Sequence, residues 1–318
     1  MTWQPQLSVL IISRDRRELL HRVLHDVHNQ DYDGEFEIVV VEETDEPQAP
    51  EGVVYVPHPM KNLGIAYARN LSLQHANHDV LVFIDDDCRV EKDWLKQLVA
   101  PLEDEQVLGV QGGVIVPENT NGMGWAESLL GFPGGGVTRV IKAEGEHQET
   151  LEISTLNACY RKDVVLQAGS FSAHARFGGE DYVLAKKVAE KGKLLFVPLA
   201  QVKHEARGSL SSIWTWFVRR GRAEYDLWHS DFAPKGYGVW MLRSSLLLKL
   251  LPFIVLCYWS ILPLLLFVLL MVIANRWRFR WVLKHHDIPR AAWMWLPWVR
   301  MLMGLATDVG RLQAWRNR

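Results

Sequence analysis

Cysteine is scarce in this chain: Cys88, Cys159 and Cys257 are the only three in 318 residues, far apart and with no CxxC pair. That spacing excludes a disulfide framework and a zinc knuckle, and a reducing compartment is expected. An excess of charge of one sign is also missing. With 35 Lys and Arg against 37 Asp and Glu, the formal net charge is -2, which leaves no global field to attract nucleic acid. No nucleic-acid partner is expected, and any anionic ligand must be held by a local cluster. The first apolar run, Leu7 to Ile12, is short and is followed at once by Arg14, Asp15, Arg16 and Arg17. Those are the wrong flanks for a secretory leader, so the first part of the chain is expected to stay inside. There is no internal repeat.

Charge is locally absent as well, because Leu250 to Asn275 contains no charged residue. About 20 residues at helical rise cross hydrocarbon, and Pro252 and Pro263 are tolerable there. Membrane lipids are therefore expected as partners. Arg276, Arg278, Arg280, Lys284 and Arg290 follow, with Trp277, Trp281, Trp293, Trp295 and Trp298 as interface anchors. A single crossing would carry these basic residues to the far side. Either a bent hairpin between Leu242 and Ile273 with an in-plane tail, or a second span over Ala291 to Ala306 interrupted by Arg300, would return the chain. Two regions follow: 1–230 as a catalytic domain and 231–318 as a membrane-associated helical region, its hydrophobic core at 250–275 and its basic, Trp-rich tail at 276–318.

What is present in the first half is a series of short apolar runs: Leu7 to Ile12, Phe36 to Val41, Val53 to Val56 and Val80 to Ile84. Such runs read as strands buried on both faces. Between the first two, Leu19, Leu20, Val23, Leu24 and Val27 recur at helical spacing. That is a βαβ crossover, which predicts a parallel sheet of the doubly wound α/β class. A helix is predicted over Ile65 to Ala76 and another from Tyr182 to about Lys191, then a strand over Leu194 to Val197 ended by Pro198. Val107 to Val116 is a further strand whose Gly112-Gly113 indicates a bulge or a close backbone approach. Gly131 to Gly136 reads as a loop, a flap over a substrate or a plain turn.

The strand Val80 to Ile84 delivers Asp85, Asp86 and Asp87 to the C-terminal edge of the sheet, where open α/β folds bind ligands. Three adjacent acids repel one another unless something positive sits there. A hard cation with oxygen ligands, Mn2+ or Mg2+, answers that need and takes the rest of its shell from phosphate and water. Strand alternation would point Asp85 and Asp87 one way and Asp86 the other, with Asp87 on metal and Asp85 and Asp86 toward the nucleotide. The plainer alternative is a solvated acidic turn.

With these elements in order, the chain resembles family 2 of the glycosyltransferases, the inverting group with the GT-A fold. The resemblance covers about Leu7 to Arg222 and rests on Ser8-Val9-Leu10-Ile11-Ile12, on Asn62 to Asn70, on Asp85-Asp86-Asp87, on Asn157-Ala158-Cys159-Tyr160-Arg161, and on Gly178-Gly179-Glu180-Asp181. It implies a Rossmann-like mixed sheet with helices on both faces, followed here by C-terminal membrane helices. It also implies transfer of a sugar from a nucleoside-diphosphate donor, a UDP-sugar favoured, to a hydroxyl of a saccharide or lipid-linked acceptor, with inversion. A catalytic domain at the cytoplasmic face of the inner membrane is expected from the two regions together.

By the same resemblance Asp181 is the base that deprotonates the acceptor, and Glu180 binds acceptor hydroxyls or orients the site. Acids favoured by a helix dipole are the alternative. His204 would reach the metal or the diphosphate, or be a structural histidine. Arg219 and Arg220, in Arg219-Arg220-Gly221-Arg222, would clamp the diphosphate or form a basic collar on lipid headgroups. Ser13 and Arg14, then Glu42 and Glu43, stand at the first two strand ends, where base and ribose would bind. The Gln-x-x-Arg-Trp motif of processive members is absent, which favours addition of one sugar. Two other classes remain open: a silent nucleotide-sugar-binding membrane scaffold, which would not need Asp181, and a nucleotidyltransferase, which would need a Gly-rich basic phosphate loop after the first strand.

Overall fold

The computed structural model describes residues 3–172 and 178–317. The chain falls into two compact units, one of residues 1–117 with 133–205, the other of residues 118–132 with 206–318.

In the first unit the apolar runs become strands: β1 (Leu7–Arg14), β2 (Phe36–Glu43), β3 (Val54–His58) and β4 (Val80–Asp85), with helix α1 (Arg17–His28) between β1 and β2 and α2 (Ile65–His75) before β4. There follow β5 (Cys88–Val90), α3 (Trp94–Val99) and β6 (Val107–Ile115). After α4 (Gly122–Leu129), which belongs to the second unit, come α5 (Gly136–Ala143), β7 (Gln148–Glu149) and β8 (Asn157–Arg161). The unit closes with α6 (Lys162–Gln167), α7 (Glu180–Ala189) and β9 (Lys193–His204).

Among the described residues the strands form one nine-stranded sheet in the order β3-β2-β1-β4-β8-β6-β9-β5, with β7 on β9. β1 is parallel to β2 and β4, as the crossover predicts. The sheet is mixed rather than parallel throughout, because β8 runs antiparallel between β4 and β6. The period of two then sorts the side chains. Val9, Ile11, Val40 and Val82 pack with Leu20, Val23 and Leu24 of α1 on one face, while Leu10, Val39, Leu81 and Phe83 pack with Leu184 and Val188 of α7 on the other.

The predicted strand at Leu194 to Val197 does not end at Pro198 but continues to His204. Its register against β6 shifts between Gly112 and Val114, so the backbone from Pro198 to Gln201 bulges toward β6. A Cβ at Gly112 would lie 2.1 Å from the Ala200 carbonyl oxygen, and one at Gly113 2.6 Å from that of Pro198. The paired glycines make room for the bulge, as their spacing foretold. Asn157 Nδ2 fastens it, donating to the carbonyls of Gly113 and Ala200 at 2.8 Å each.

The second unit is helical: α4, then α8 (Leu210–Trp228), α9 (Tyr237–Ser244), α10 (Leu246–Leu256), α11 (Leu262–Arg278) and α12 (Arg290–Arg316). The uncharged stretch is divided between two helices. α10 stops at Leu256 and α11 restarts at Leu262 with Pro263 in its first turn, where a missing N–H costs nothing. Among the described residues no single helix is long and apolar enough to cross a membrane; α9 and α10, bent by 43°, meet the length and composition only as a pair. Asp308 of α12 caps α10, its Oδ2 accepting from Ser245 Oγ at 3.0 Å and from the amides of Leu246 and Leu247 at 2.7 and 2.9 Å.

Candidate active site

The end of β4 and the start of β1's following loop meet because β1 and β4 are parallel neighbours with Ile12 beside Asp85. Parallel pairing puts both C-terminal ends at one edge. The strand ends at Asp85, and Asp86 and Asp87 form a turn into β5. The alternation expected of the three acids therefore fails. Asp85 faces α2, while Asp86 and Asp87 both turn to Arg16, just ahead of α1.

Asp86 is buried, accepts from Ser13 Oγ at 2.7 Å and pairs with the Arg16 guanidinium. Burial pushes its carboxyl up to about 7, against the pull of Arg16. Asp87 accepts from Arg16 Nη1 at 3.0 Å, and its Oδ1 lies 3.3 Å from His204 Nε2. The β9 bulge is what brings His204 there, opposite Cys88 in the β5–β9 ladder. The imidazole is 5% exposed, and its Nδ1 has no hydrogen-bond partner among the described residues.

On the other face, Arg69 of α2 is 4% exposed. Its Nη2 stands 3.5 Å from Asp85 Oδ1, and its Nη1 meets the Glu180 carboxylate at the start of α7. Burial raises Glu180 to about 7 while Arg69 pulls it down; the guanidinium, held by Glu180 and Asp85, stays charged. Asp181, next in α7, is only partly buried and accepts from the Tyr182 amide at 2.8 Å. Arg69 thus ties the strand end to the N-terminus of α7, and with it Asp181.

Glu42 is buried, with Oε2 accepting from Tyr55 Oη at 2.6 Å and Oε1 without a hydrogen-bond partner. Arg14 is half exposed, pairs with Glu43 at 3.3 Å and donates to Asn62. Glu43 in turn accepts from the Asn62 amide at 2.7 Å. Arg219 and Arg220 lie on α8 of the second unit, where Arg220 Nε is 3.1 Å from Glu224 and its guanidinium covers the rings of Phe132 and Trp216. Sequence reasoning missed Arg16, whose signal was its place directly after a strand end. Arg69, in the Asn62 to Asn70 run, could from sequence either support the site from behind or be a solvated helical arginine; it is buried between two acids.

Among the described residues no three His, Cys, Asp or Glu side chains converge on one point. Asp87 and His204 do converge, and one or two protein ligands suffice when a diphosphate completes the shell. The donor set therefore fits a divalent cation held jointly with a phosphorylated ligand.

Residues 8–165 match the family described as Glycosyl transferase family 2. The uncharacterized glycosyltransferase YfnE of Bacillus subtilis (strain 168) is 32% identical over 114 residues, covering 33% of this chain and 29% of that protein. The glycosyltransferase AglE of Haloferax volcanii is 26% identical over 238 residues, 71% of this chain and 75% of its own length. Thus the chain spans less than a third of the first relative and three quarters of the second. The solved mannosyltransferase PcManGT of Pyrobaculum calidifontis, in complex with GDP-Man and Mn2+, superposes with a TM-score of 0.61 at 18% identity, over 100% of this chain and 89% of that one. That likeness shows a shared fold.

Proposed function

We propose that this chain transfers one sugar from a nucleoside-diphosphate sugar to a hydroxyl of a saccharide or lipid-linked acceptor, with inversion, using Asp181 as the base. The observation that carries this reading is the Arg69 bridge, which fixes a strand-end carboxylate cluster and the Glu180-Asp181 helix start as one site. A metal-binding turn alone would not need the second half.

The roles follow from the contacts. Asp87 and His204 would hold Mn2+ or Mg2+, which when bound neutralises the charge growing on the departing diphosphate. Arg16, already poised over Asp86 and Asp87, supplies planar donors to phosphate oxygens. Ser13, fixed by Asp86, and Glu42, fixed by Tyr55, give the nucleoside a rigid floor. Glu180 is held by Arg69 and orients α7, which leaves the more exposed Asp181 to take the acceptor proton. Arg219 and Arg220 remain a clamp for diphosphate or a collar for lipid headgroups.

We further place the catalytic domain at the cytoplasmic face of a membrane, with the second unit lying on or dipping into it. Leu256, Tyr258, Trp259, Ile261, Leu262 and Leu265 are all exposed between and along α10 and α11, and Arg276, Arg278 and Arg280 follow. An apolar face edged by tryptophan and arginine suits an interfacial position.

Thermal shift against UDP- and GDP-sugars, with and without Mn2+, tests the donor, because bound ligand raises apparent stability by mass action. Proton NMR of the product tests inversion, and flotation with anionic vesicles tests the membrane placement. No donor shift, a retained anomer and no flotation would remove the three parts respectively.

A further inference from the structure

Among the described residues of the first unit, the guanidiniums of Arg17, Arg139 and Arg161 have no carboxylate partner, and only that of Arg139 is held by side chains rather than by backbone carbonyls. Arg139, on α5, lies over the Phe196 ring with Cζ 4.1 Å from its centroid. Its Nη1 donates to Gln111 Oε1 at 3.0 Å and its Nη2 to Thr150 Oγ1 at 2.7 Å. Both acceptors are neutral, and among the described residues no acid comes within ion-pair distance. Burial lowers the pKa of this guanidinium from its ordinary value, opposed by the charge of Glu152 farther off. A tether of α5 to the sheet would be met at lower cost by an apolar side chain, because a cation taken from water needs an anion to offset the loss.

Its place in the fold indicates which anion. Gln111 Oε1 also accepts from the Ser154 amide at 3.0 Å, and Gln111 Nε2 donates to the Gly134 carbonyl at 2.7 Å. Segment 150–156 therefore runs from Arg139 to the carboxylate cluster, where the Leu156 carbonyl accepts from the Asp85 amide at 3.4 Å. On that segment Thr155 is 1% exposed, and its hydroxyl has no hydrogen-bond partner among the described residues. The Tyr182 phenol beside Asp181 is raised by burial and then by the charge of Glu152 on the same segment. Arg139 and the Asp85 strand end thus stand at the two ends of one short stretch of chain.

We propose that Arg139 binds an oxyanion of the acceptor, a sugar carboxylate or a phosphate, so that the acceptor is anionic. The inference rests on the glycosyltransferase reading and deepens it. The guanidinium keeps N–H groups beyond the two spent on Gln111 and Thr150, and a planar fork suits a carboxylate or phosphate edge. The Thr155 hydroxyl supplies a further polar contact between that anion and the strand end.

The test is calorimetric titration of the full chain, with UDP or GDP and Mn2+ present, using two matched probe pairs: methyl β-glucuronide against methyl β-glucoside, and farnesyl phosphate against farnesol. One anionic probe is expected to bind about tenfold or more tightly than its neutral partner, as charge-assisted hydrogen bonds allow. Which pair shows it distinguishes a sugar carboxylate from a lipid phosphate. Arg139→Gln should abolish the preference while retaining the melting shift given by donor and Mn2+. Arg139→Lys, which keeps the charge and loses the fork, should fold even where the glutamine variant does not, and should cut the preference at least threefold. Equal binding within both pairs, or a preference unchanged in Arg139→Lys, overturns the proposal. A wild-type chain that gives no donor shift instead counts against the transferase reading itself.

Discussion

Arg69 and Glu180, 111 residues apart in the chain, meet as an ion pair that is all but closed to water, with side chains 5% and 3% exposed. Removing one member of such a pair leaves a bare buried charge. Arg69→Met is expected to cost about 3–5 kcal/mol of unfolding free energy, read from urea denaturation. The double variant Arg69→Met/Glu180→Met should lose less than the sum of the single changes. Simple additivity would mean that the pair does not hold α7 to the strand end.

Asp181 is the partly exposed acid of the two, and the chemistry is assigned to it. Asp181→Asn should lower turnover by about 10²–10⁴-fold, the usual worth of a positioned base, while the donor-induced melting shift persists. Steady-state rates beside the shift measurement check both halves. A variant with near-normal turnover would take the role of base away from Asp181.

Asp87 and His204 should act together on metal. In Asp87→Asn and in His204→Ala the extra stabilisation that Mn2+ gives to a bound nucleotide sugar should disappear, whatever metal-free stability is lost with the Arg16 pair or the buried imidazole. The comparison is a melting series with donor at several Mn2+ concentrations. An undiminished Mn2+ effect in both variants would move the metal elsewhere.

Glu37, at the start of β2, gives a pH prediction away from the site. Burial pushes its carboxyl up, but hydrogen bonds from Ser8 Oγ at 2.6 Å and from the amide and side chain of Asn77 at 2.6 and 2.8 Å outweigh that and hold it below its ordinary 4.5. A carboxyl depressed in the folded state adds stability above its unfolded pKa, and that stability is lost as pH falls through the folded value. Glu37→Gln should therefore melt lower than wild type at neutral pH, with the gap closing in strong acid. A gap of constant size across a pH series of melting curves would show that charge has no part in it.

The sheet was readable because burial on both faces leaves a direct trace, an unbroken apolar run such as Val80 to Ile84, and Gly112-Gly113 already announced the close backbone approach now seen at Ala200. The direction of β8 left no such trace. A strand's composition is the same whether it pairs parallel or antiparallel, so Asn157 to Arg161 could be recognised without its place in the sheet being known. The uncharged stretch left a bent hairpin and a second span both open for a related reason: hydropathy records composition, and the break between Leu256 and Leu262 is a matter of backbone turns that composition does not encode.

Within the site, the sequence by itself determined the identities that matter: three acids at a strand end, two more at a helix start, and a histidine closing a late strand. Only the tertiary structure decided their partners. That Arg16 rather than empty solvent faces Asp86 and Asp87, that Arg69 is buried between Asp85 and Glu180, and that a bulge carries His204 to Asp87 are all contacts between separate elements of the chain. Local spacing specifies which side chains share a face of one element. Which elements then meet is set by the packing of the whole sheet, and there the charges find one another.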